Sequence, residues 1–458
     1  MDPLKLGTVA RLSGGILSQG DESILVSSVT TDSRTLAAGS LFVALKGENF
    51  DGHSFVEAAA AAGAAGALVE KGFAGTVPPG FALIRVEDTL AGLQRLAAGY
   101  RRTLSLRVVG VTGSSGKTST KDMILAVLAR KLKVTGTTGN LNNHIGVPLS
   151  ILAANSSHEA AVYEMGMNHR GEIAPLAAIA APEVGVISNI GTAHIEHLGS
   201  RTEIAREKGD LIEALPKHGA AVLPAEDDFV EHLQRRCHGR VLLAGLAQGG
   251  IRAENIAPRA GGSEFELVEG SARVPALLPV PGVHMVKNAV LAVAVGRWFD
   301  VPLEDCAKAL SEVSLAKGRL QRREADGVVI LDDTYNANPD STAAALETLG
   351  AMPCEGRHIA VLGPMKELGP EAESGHRFVG EVAARMASVL VAVGEESTWT
   401  ADSALSANPD LEVIRVNTPA EAGAALRNLA RPGDVVLVKG SRSAKMEGAI
   451  ETFAGGRT

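Results

Sequence analysis

The run Val111-Thr112-Gly113-Ser114-Ser115-Gly116-Lys117-Thr118-Ser119-Thr120 has the residue types and spacing of a phosphate cradle. It follows an apolar stretch (106–111) and opens a helical pattern (121–128). Strand, glycine-rich turn and helix together let backbone N–H groups and a helix N-terminus hold polyphosphate. Gly113, Ser114, Ser115, Gly116 and Ser119 would surround the phosphates, Lys117 would reach the terminal ones, and the Thr118 hydroxyl would face a Mg²⁺. The match to G-x-x-x-x-G-K-[ST] is incomplete, because Val111 stands where that pattern has glycine.

Other polar residues fall at strand ends. Glu164 closes an apolar run (160–163) and is placed either to meet a Mg²⁺ near the loop or to sit solvated. His194 and His197 follow a strand at 184–187 but lack the spacing of His-Glu-x-x-His, so zinc hydrolysis is not supported. Asn140, Asn142, Asn143 and His144 precede a helix start and are also explained by turn chemistry. Lys208, on an amphipathic stretch (202–211), reads by itself as a surface lysine. Further on, Lys317-Gly318-Arg319 leads to Asp332-Asp333-Thr334-Tyr335-Asn336-Ala337-Asn338-Pro339-Asp340-Ser341. The last four of these form a turn and N-cap pattern; two carboxylates directly after a strand are harder to explain by folding alone.

The chain that must position these groups has 458 residues, too many for one ordinary core. We expect an α/β protein of three domains: a small N-terminal α/β unit (1–103), a central parallel-sheet P-loop unit (104–317) and a C-terminal Rossmann-like α/β unit (318–458). In the first, a strand is expected at 41–45, a helix at 54–62 and a strand at 67–69. The second should place strands at 107–111, 160–163, 184–187 and 220–223, with a helix at 284–299 apolar on one face. In the third, strands at 328–331, 359–362, 389–393 and 435–438 restart the pattern, each ending in polar or glycine residues.

Composition narrows the function classes. Net charge is −8 and aromatic residues make up only 3%, which argues against nucleic acid as a partner. The longest uncharged tracts are too short to span a bilayer, so no membrane insertion is expected. Met1-Asp2-Pro3-Leu4-Lys5-Leu6 lacks the regions of a signal peptide, which predicts a cytoplasmic protein. The three cysteines, Cys237, Cys306 and Cys354, are too scattered for a disulfide frame or a zinc site.

Taken together, these residues resemble the Mur ligase family over nearly the whole chain, from about Thr30 to Gly448. That family's phosphate loop has the form Thr-Gly-x-x-Gly-Lys-Thr, which Thr112 to Thr118 match and which accounts for Val111. The resemblance implies ATP and Mg²⁺ as cofactors and a metal role for Thr118, Glu164, His194 and Lys208, the last as a lysine carbamoylated by CO₂. Asn288 would contact adenine, Arg319 would reach the γ-phosphate, and Asp333 would hold the ribose. Thr31-Asp32-Ser33-Arg34 and Lys46-Gly47-Glu48-Asn49 resemble uridine-binding segments, giving Ser33, Arg34 and Lys46 a substrate role. Asn142, Asn143, Tyr335, Asn336, Asn338 and His376 are further substrate-binding candidates, and the loop 363–369 resembles one near an incoming dipeptide.

Within the family, the form of residues 333–339 resembles the branch that joins D-Ala-D-Ala to UDP-MurNAc-tripeptide through an acyl phosphate. Lys117, Lys208, His194 and Arg319 are its implied catalytic residues, and a monomer is the family default. Two alternatives differ in kind. A branch adding a single diamino acid would be expected to carry Asp-Asn-Pro-Arg, which is absent here. A P-loop hydrolase acting as a switch is the other; one reading guanine would carry Asn-Lys-x-Asp, likewise absent.

Overall fold

The computed structural model describes residues 1–47, 50–259 and 261–455. Among these, three larger sheets succeed one another along the chain. The first places Ile16–Gln19, Ala82–Val86, Gly66–Glu70, Ser40–Val43 and Ser28–Thr30 side by side, parallel except for the first pair. The expected helix at 54–62 starts as a 3₁₀ turn, Gly52–Phe55, and becomes α-helical over Val56–Ala61. Helix Thr89–Arg101, capped by the Asp88 carboxylate on the Ala91 N–H, joins this unit to the next. Its Leu93 and Leu96 are fully buried in a cluster with Val147, Ile151 and Leu176. Each such side chain contributes about 1.5–3 kcal/mol relative to exposure.

The second sheet runs Ala272–Leu278, Gly262–Glu269, Ile251–Arg259, Arg240–Gly245, Ala220–Pro224, Val184–Ile187, Arg107–Thr112, Ala160–Glu164, Val134–Gly136. Glu164 pairs with Val111, and Ile187 with Thr112, so three strands end level with one another. After Arg107–Thr112 the chain goes to one side of that strand and later returns to the other. This reversal opens a crevice at the carboxyl ends, where ligands bind in open α/β sheets.

Two features differ from the sequence expectation. The strands from Ile251 to Leu278 form an antiparallel meander on the sheet's edge, with Pro275 on the outermost strand, where a missing N–H costs no ladder bond. Helix Val283–Trp298 is buried on every side from Asn288 to Gly296 rather than on one face. It packs against both helix Lys117–Leu128 and the strands at that edge, which makes an all-round apolar surface necessary.

In the third sheet the order is Gln321–Ala325, Val328–Asp333, Val435–Lys439, His358–Leu362, Val389–Val393, Glu412–Val416, all parallel except the first. The two outer strands were not anticipated, because edge positions tolerate the charged runs Gln-Arg-Arg-Glu-Ala and Glu-Val-Ile-Arg-Val. One apolar cluster runs from Val109 and Val290 in the second sheet's unit to Leu346 and Leu437 in the third's. The facing carboxyl ends of the two sheets are thereby held together.

Candidate nucleotide and ligation site

Where these ends meet lies a cleft of about 640 Å³. Its floor is the phosphate loop. Gly116 caps helix Lys117–Leu128 in a left-handed conformation (φ 77°), and a Cβ there would come 2.8 Å from Asn288 Nδ2. Glycine at this position therefore meets both a backbone and a space requirement. The loop after Ile187 braces it from the side: the Ser115 N–H donates to Asn189 Oδ1 (2.8 Å) and the Ser114 N–H to Asn189 O (3.0 Å).

Charged groups converge above the loop. The buried Thr118 hydroxyl donates to Glu164 Oε2 (2.7 Å), and Asn142 Nδ2 donates to Glu164 Oε1 (2.8 Å). Arg319, from the chain's third unit, donates through Nη2 to Thr118 Oγ1 (2.8 Å). Its guanidinium lies 4.2 Å from the Tyr335 ring centre, and its Nε is buried with no hydrogen-bond partner among the described residues. Lys117 Nζ donates back to Gly113 O (2.9 Å), and burial lowers its pKa, with the Arg319 charge acting in the same direction.

Three more contacts cross the cleft. Asn338 Nδ2 donates to Ser115 Oγ (3.2 Å) while its Oδ1 caps helix Pro339–Ala351 through the Ser341 N–H. Asp340 Oδ2 accepts from both the Thr192 N–H (2.7 Å) and the Thr192 hydroxyl (2.8 Å). His194 Nδ1 lies 2.7 Å from Glu367 Oε2, at ion-pair distance but without the angle of a full hydrogen bond. At the far wall, Asp333 accepts from Lys439 Nζ (2.6 Å) and the Leu320 N–H (3.2 Å). His284, beside Asp333 and Lys439, has its pKa pushed down to about 4 by desolvation.

Lys208 occupies a different environment from the exposed one its local sequence suggests. It is 1% exposed on helix Arg201–Glu213 and has no hydrogen-bond or ion-pair partner among the described residues. Desolvation and the nearby Lys117 charge drive its pKa well below the usual lysine value, a shift toward the neutral amine. The adjacent Glu207 is committed elsewhere, accepting from the Gly171, Glu172 and Ile173 N–H groups.

Residues 25–101 match the model of the Mur ligase family catalytic domain, 111–296 the Mur ligase middle domain, and 318–442 the Mur ligase glutamate ligase domain. The UDP-N-acetylmuramoyl-tripeptide–D-alanyl-D-alanine ligase of Bacillus subtilis is 36% identical over 97% of this chain and 96% of its own. The chain belongs to the Mur ligase family. Among solved structures it is similar to MurF from Acinetobacter baumannii (TM-score 0.91, 33% identity, 99% of each chain). It is also similar to MurF ligase from Thermotoga maritima in complex with ADP (TM-score 0.83, 30% identity, 93% of this chain and 97% of that one).

In this Mur ligase the residues expected from sequence are distributed unevenly. Ser114, Ser115, Gly116, Lys117, Thr118, Ser119, Asn142, Asn143, Glu164, His194, Asn288, Arg319, Asp333, Tyr335, Asn336 and Asn338 all line the cleft. Gly113 and Lys208 do not line it, although both touch or influence Lys117. Ser33, Arg34 and Lys46 lie away from it; Arg34 is exposed and paired with Asp32 (2.7 Å). Glu48 and Asn49, also expected near uridine, fall outside the described residues.

His376 does not line the cleft. It is fully buried, with Nε2 accepting from the Met365 N–H (3.1 Å) and Nδ1 donating to Ala372 O (2.7 Å). Both ring nitrogens are used, and in this conformation it anchors the loop at 363–369. Cleft residues outside the expected site include Asp340, hidden within a capping pattern, Asn189, Glu172, Lys439, and Glu367, on a loop whose reach only the tertiary structure reveals.

Proposed function

We propose that this Mur ligase joins D-alanyl-D-alanine to UDP-N-acetylmuramoyl-tripeptide, driven by ATP, to give the pentapeptide precursor of peptidoglycan. The observation that carries this reading is the chain Arg319–Thr118–Glu164, in which a residue of the third unit closes onto the phosphate loop of the second. The names of the full-length relatives and the ADP in the Thermotoga maritima structure support it. Residues 1–103 would hold the UDP end through Ser33, Arg34 and Lys46, 104–317 would bind ATP, and 318–458 would close on ATP and receive the dipeptide. The reading is of a cytoplasmic monomer, as the family resemblance implies; separately, no helix among the described residues is long and apolar enough to cross a membrane.

The tripeptide carboxylate attacks the γ-phosphorus and ADP departs, leaving an acyl phosphate. The dipeptide amine then attacks the acyl carbon, and the tetrahedral adduct expels phosphate as the nitrogen loses its proton. Lys117 and Arg319 stabilise charge on the transferring phosphoryl group. Asn288 faces the base, and Asp333 the ribose. Domain closure excludes water, which would otherwise hydrolyse the acyl phosphate.

The donor set fits Mg²⁺. Thr118 and Glu164 offer hard oxygens for one ion, and His194 with carbamoylated Lys208 would hold a second. Mg²⁺ is commonly held by one or two carboxylates together with substrate phosphates rather than by an all-protein cage. When bound, Mg²⁺ neutralises charge between two anions that must approach each other. Lys208 supports the carbamate reading because burial without a partner favours the neutral amine, the form that can attack CO₂, lose a proton and become an anion beside Lys117.

The test is phosphate release from ATP and Mg²⁺ with UDP-MurNAc-tripeptide and either D-Ala-D-Ala or one free amino acid. Release only with the dipeptide, with a pentapeptide product mass, is expected. Release with a free amino acid and UDP-MurNAc-dipeptide would overturn the choice of branch.

A further inference from the structure

Five carboxylates line the cleft, and four have partners that explain them. Glu164 receives Thr118 and Asn142, Glu172 the Asn168 N–H, Asp333 Lys439, and Asp340 Thr192. Among the described residues Glu367 has one ion-pair partner, His194, across the boundary between the second and third units. The loop that carries it is fastened at three points. The Met365 N–H donates to His376, the Lys366 N–H to Ser441 Oγ (2.8 Å), and the Gly363 N–H to Lys439 O (2.8 Å). Glu367 (φ 63°) and His194 (φ 61°) both have left-handed backbones, which non-glycine residues keep only where the surroundings fix them. Two strained residues, each held from its own side, thus meet through their side chains.

We propose that Glu367 is a positioning residue for His194: docking of the third unit brings its carboxylate to Nδ1, fixing the ring and its tautomer so that Nε2 is left to ligate a divalent cation. This rests on the metal role given to His194 above. A histidine that binds metal generally gives its other ring N–H to a carboxylate or carbonyl, which sets its orientation and basicity. The imperfect angle at Nδ1 is usual in a site that tightens only when ligands are present. Cation affinity is then coupled to domain closure, and His376 contributes indirectly by anchoring the loop that delivers Glu367.

The experiment uses full-length enzyme with a non-hydrolysable ATP analogue and UDP-MurNAc-tripeptide, and reads Mn²⁺ binding by electron paramagnetic resonance. Glu367→Ala should weaken the affected Mn²⁺ site by about 10- to 100-fold. Glu367→Gln, which keeps an acceptor for Nδ1–H, should weaken it less and carries the comparison if the alanine variant is unstable. In a His194→Ala background, Glu367→Ala should cause no further loss, since the two act through one contact. The KM for D-Ala-D-Ala should change less than about twofold, because its amine is not what Glu367 holds. Unchanged Mn²⁺ binding with a raised KM for the dipeptide would overturn the proposal and assign the carboxylate to the incoming amine. An undiminished Glu367→Ala effect in the His194→Ala background would overturn it too. Failure of the ligase reading would appear separately, as wild-type enzyme that makes no pentapeptide.

Discussion

Charged side chains are used in opposite ways by the cleft and by the outer face of the first unit. In the cleft, Arg319, Asn338, Asp340 and Glu367 reach across from one unit to Thr118, Ser115, Thr192 and His194 on another. On the first unit, the Arg34 side chain is 86% exposed and its partner, Asp32, is two residues away. The first pattern suits chemistry, where transition-state charge needs preorganised donors and exclusion of water. The second suits an open binding surface, where the charge is screened and adds affinity without shaping the reaction. Distance from the phosphate loop should therefore separate effects on turnover from effects on binding.

The largest effect should come from Lys117→Ala. Turnover should fall by at least about 10³-fold, as for loss of a main phosphoryl-stabilising group, with the thermal midpoint unchanged. Near-normal phosphate release from the variant would break the assignment of chemistry to the cleft. Lys208→Ala should lose about 10²-fold or more, as for a metal-supporting group, and recover part of its activity with acetate or propionate. Rescue by a neutral amide instead would exclude the carbamate.

Arg319→Lys keeps the charge but loses the planar guanidinium that reaches Thr118 and lies over the Tyr335 ring. About a 10- to 100-fold fall in kcat, with a smaller change in the KM for ATP, would sharpen the link between closure and catalysis. Arg34→Ala should raise the KM for the UDP-linked substrate by less than about 10-fold and leave kcat alone. A fall in kcat alone would dissolve the contrast between the two regions.

The smallest effect concerns pH. His284 keeps a pKa of about 4 in the native protein against 6.5 for an unperturbed histidine. Between those values the unfolded chain binds a proton that the native state refuses. His284 therefore costs no stability above pH 6.5 and progressively more as pH falls toward 4. Because the ring lines an open cleft, the loss should be only about 1 kcal/mol. Urea unfolding of ligand-free enzyme at several pH values should show it, and His284→Gln should flatten that part of the profile.

Residues whose roles depend on their immediate neighbours were legible in the sequence. The phosphate loop, the place of Glu164 at a strand end and the Asn338 cap follow from patterns within a few positions, but the choice between a metal and a solvent role for Glu164 does not. The buried central strands were equally clear, because continuous apolar runs leave little choice. Edge strands such as Gln321–Ala325 were not, since exposure permits charge at every position. Local pattern also misled in both directions. Lys208 reads as a surface residue yet is buried, and Asp340 reads as a helix cap yet reaches another unit. Glu367 and His376 take their meaning from a loop fixed by Ser441 and Lys439, which lie far along the chain.

The most direct test of the account is to follow ¹⁸O from the tripeptide carboxylate during turnover with D-Ala-D-Ala. An acyl phosphate formed in the closed cleft predicts one ¹⁸O in each phosphate released, together with the pentapeptide product. Phosphate that instead takes its oxygen from water, with no label from the carboxylate, would contradict ligation and leave only ATP hydrolysis.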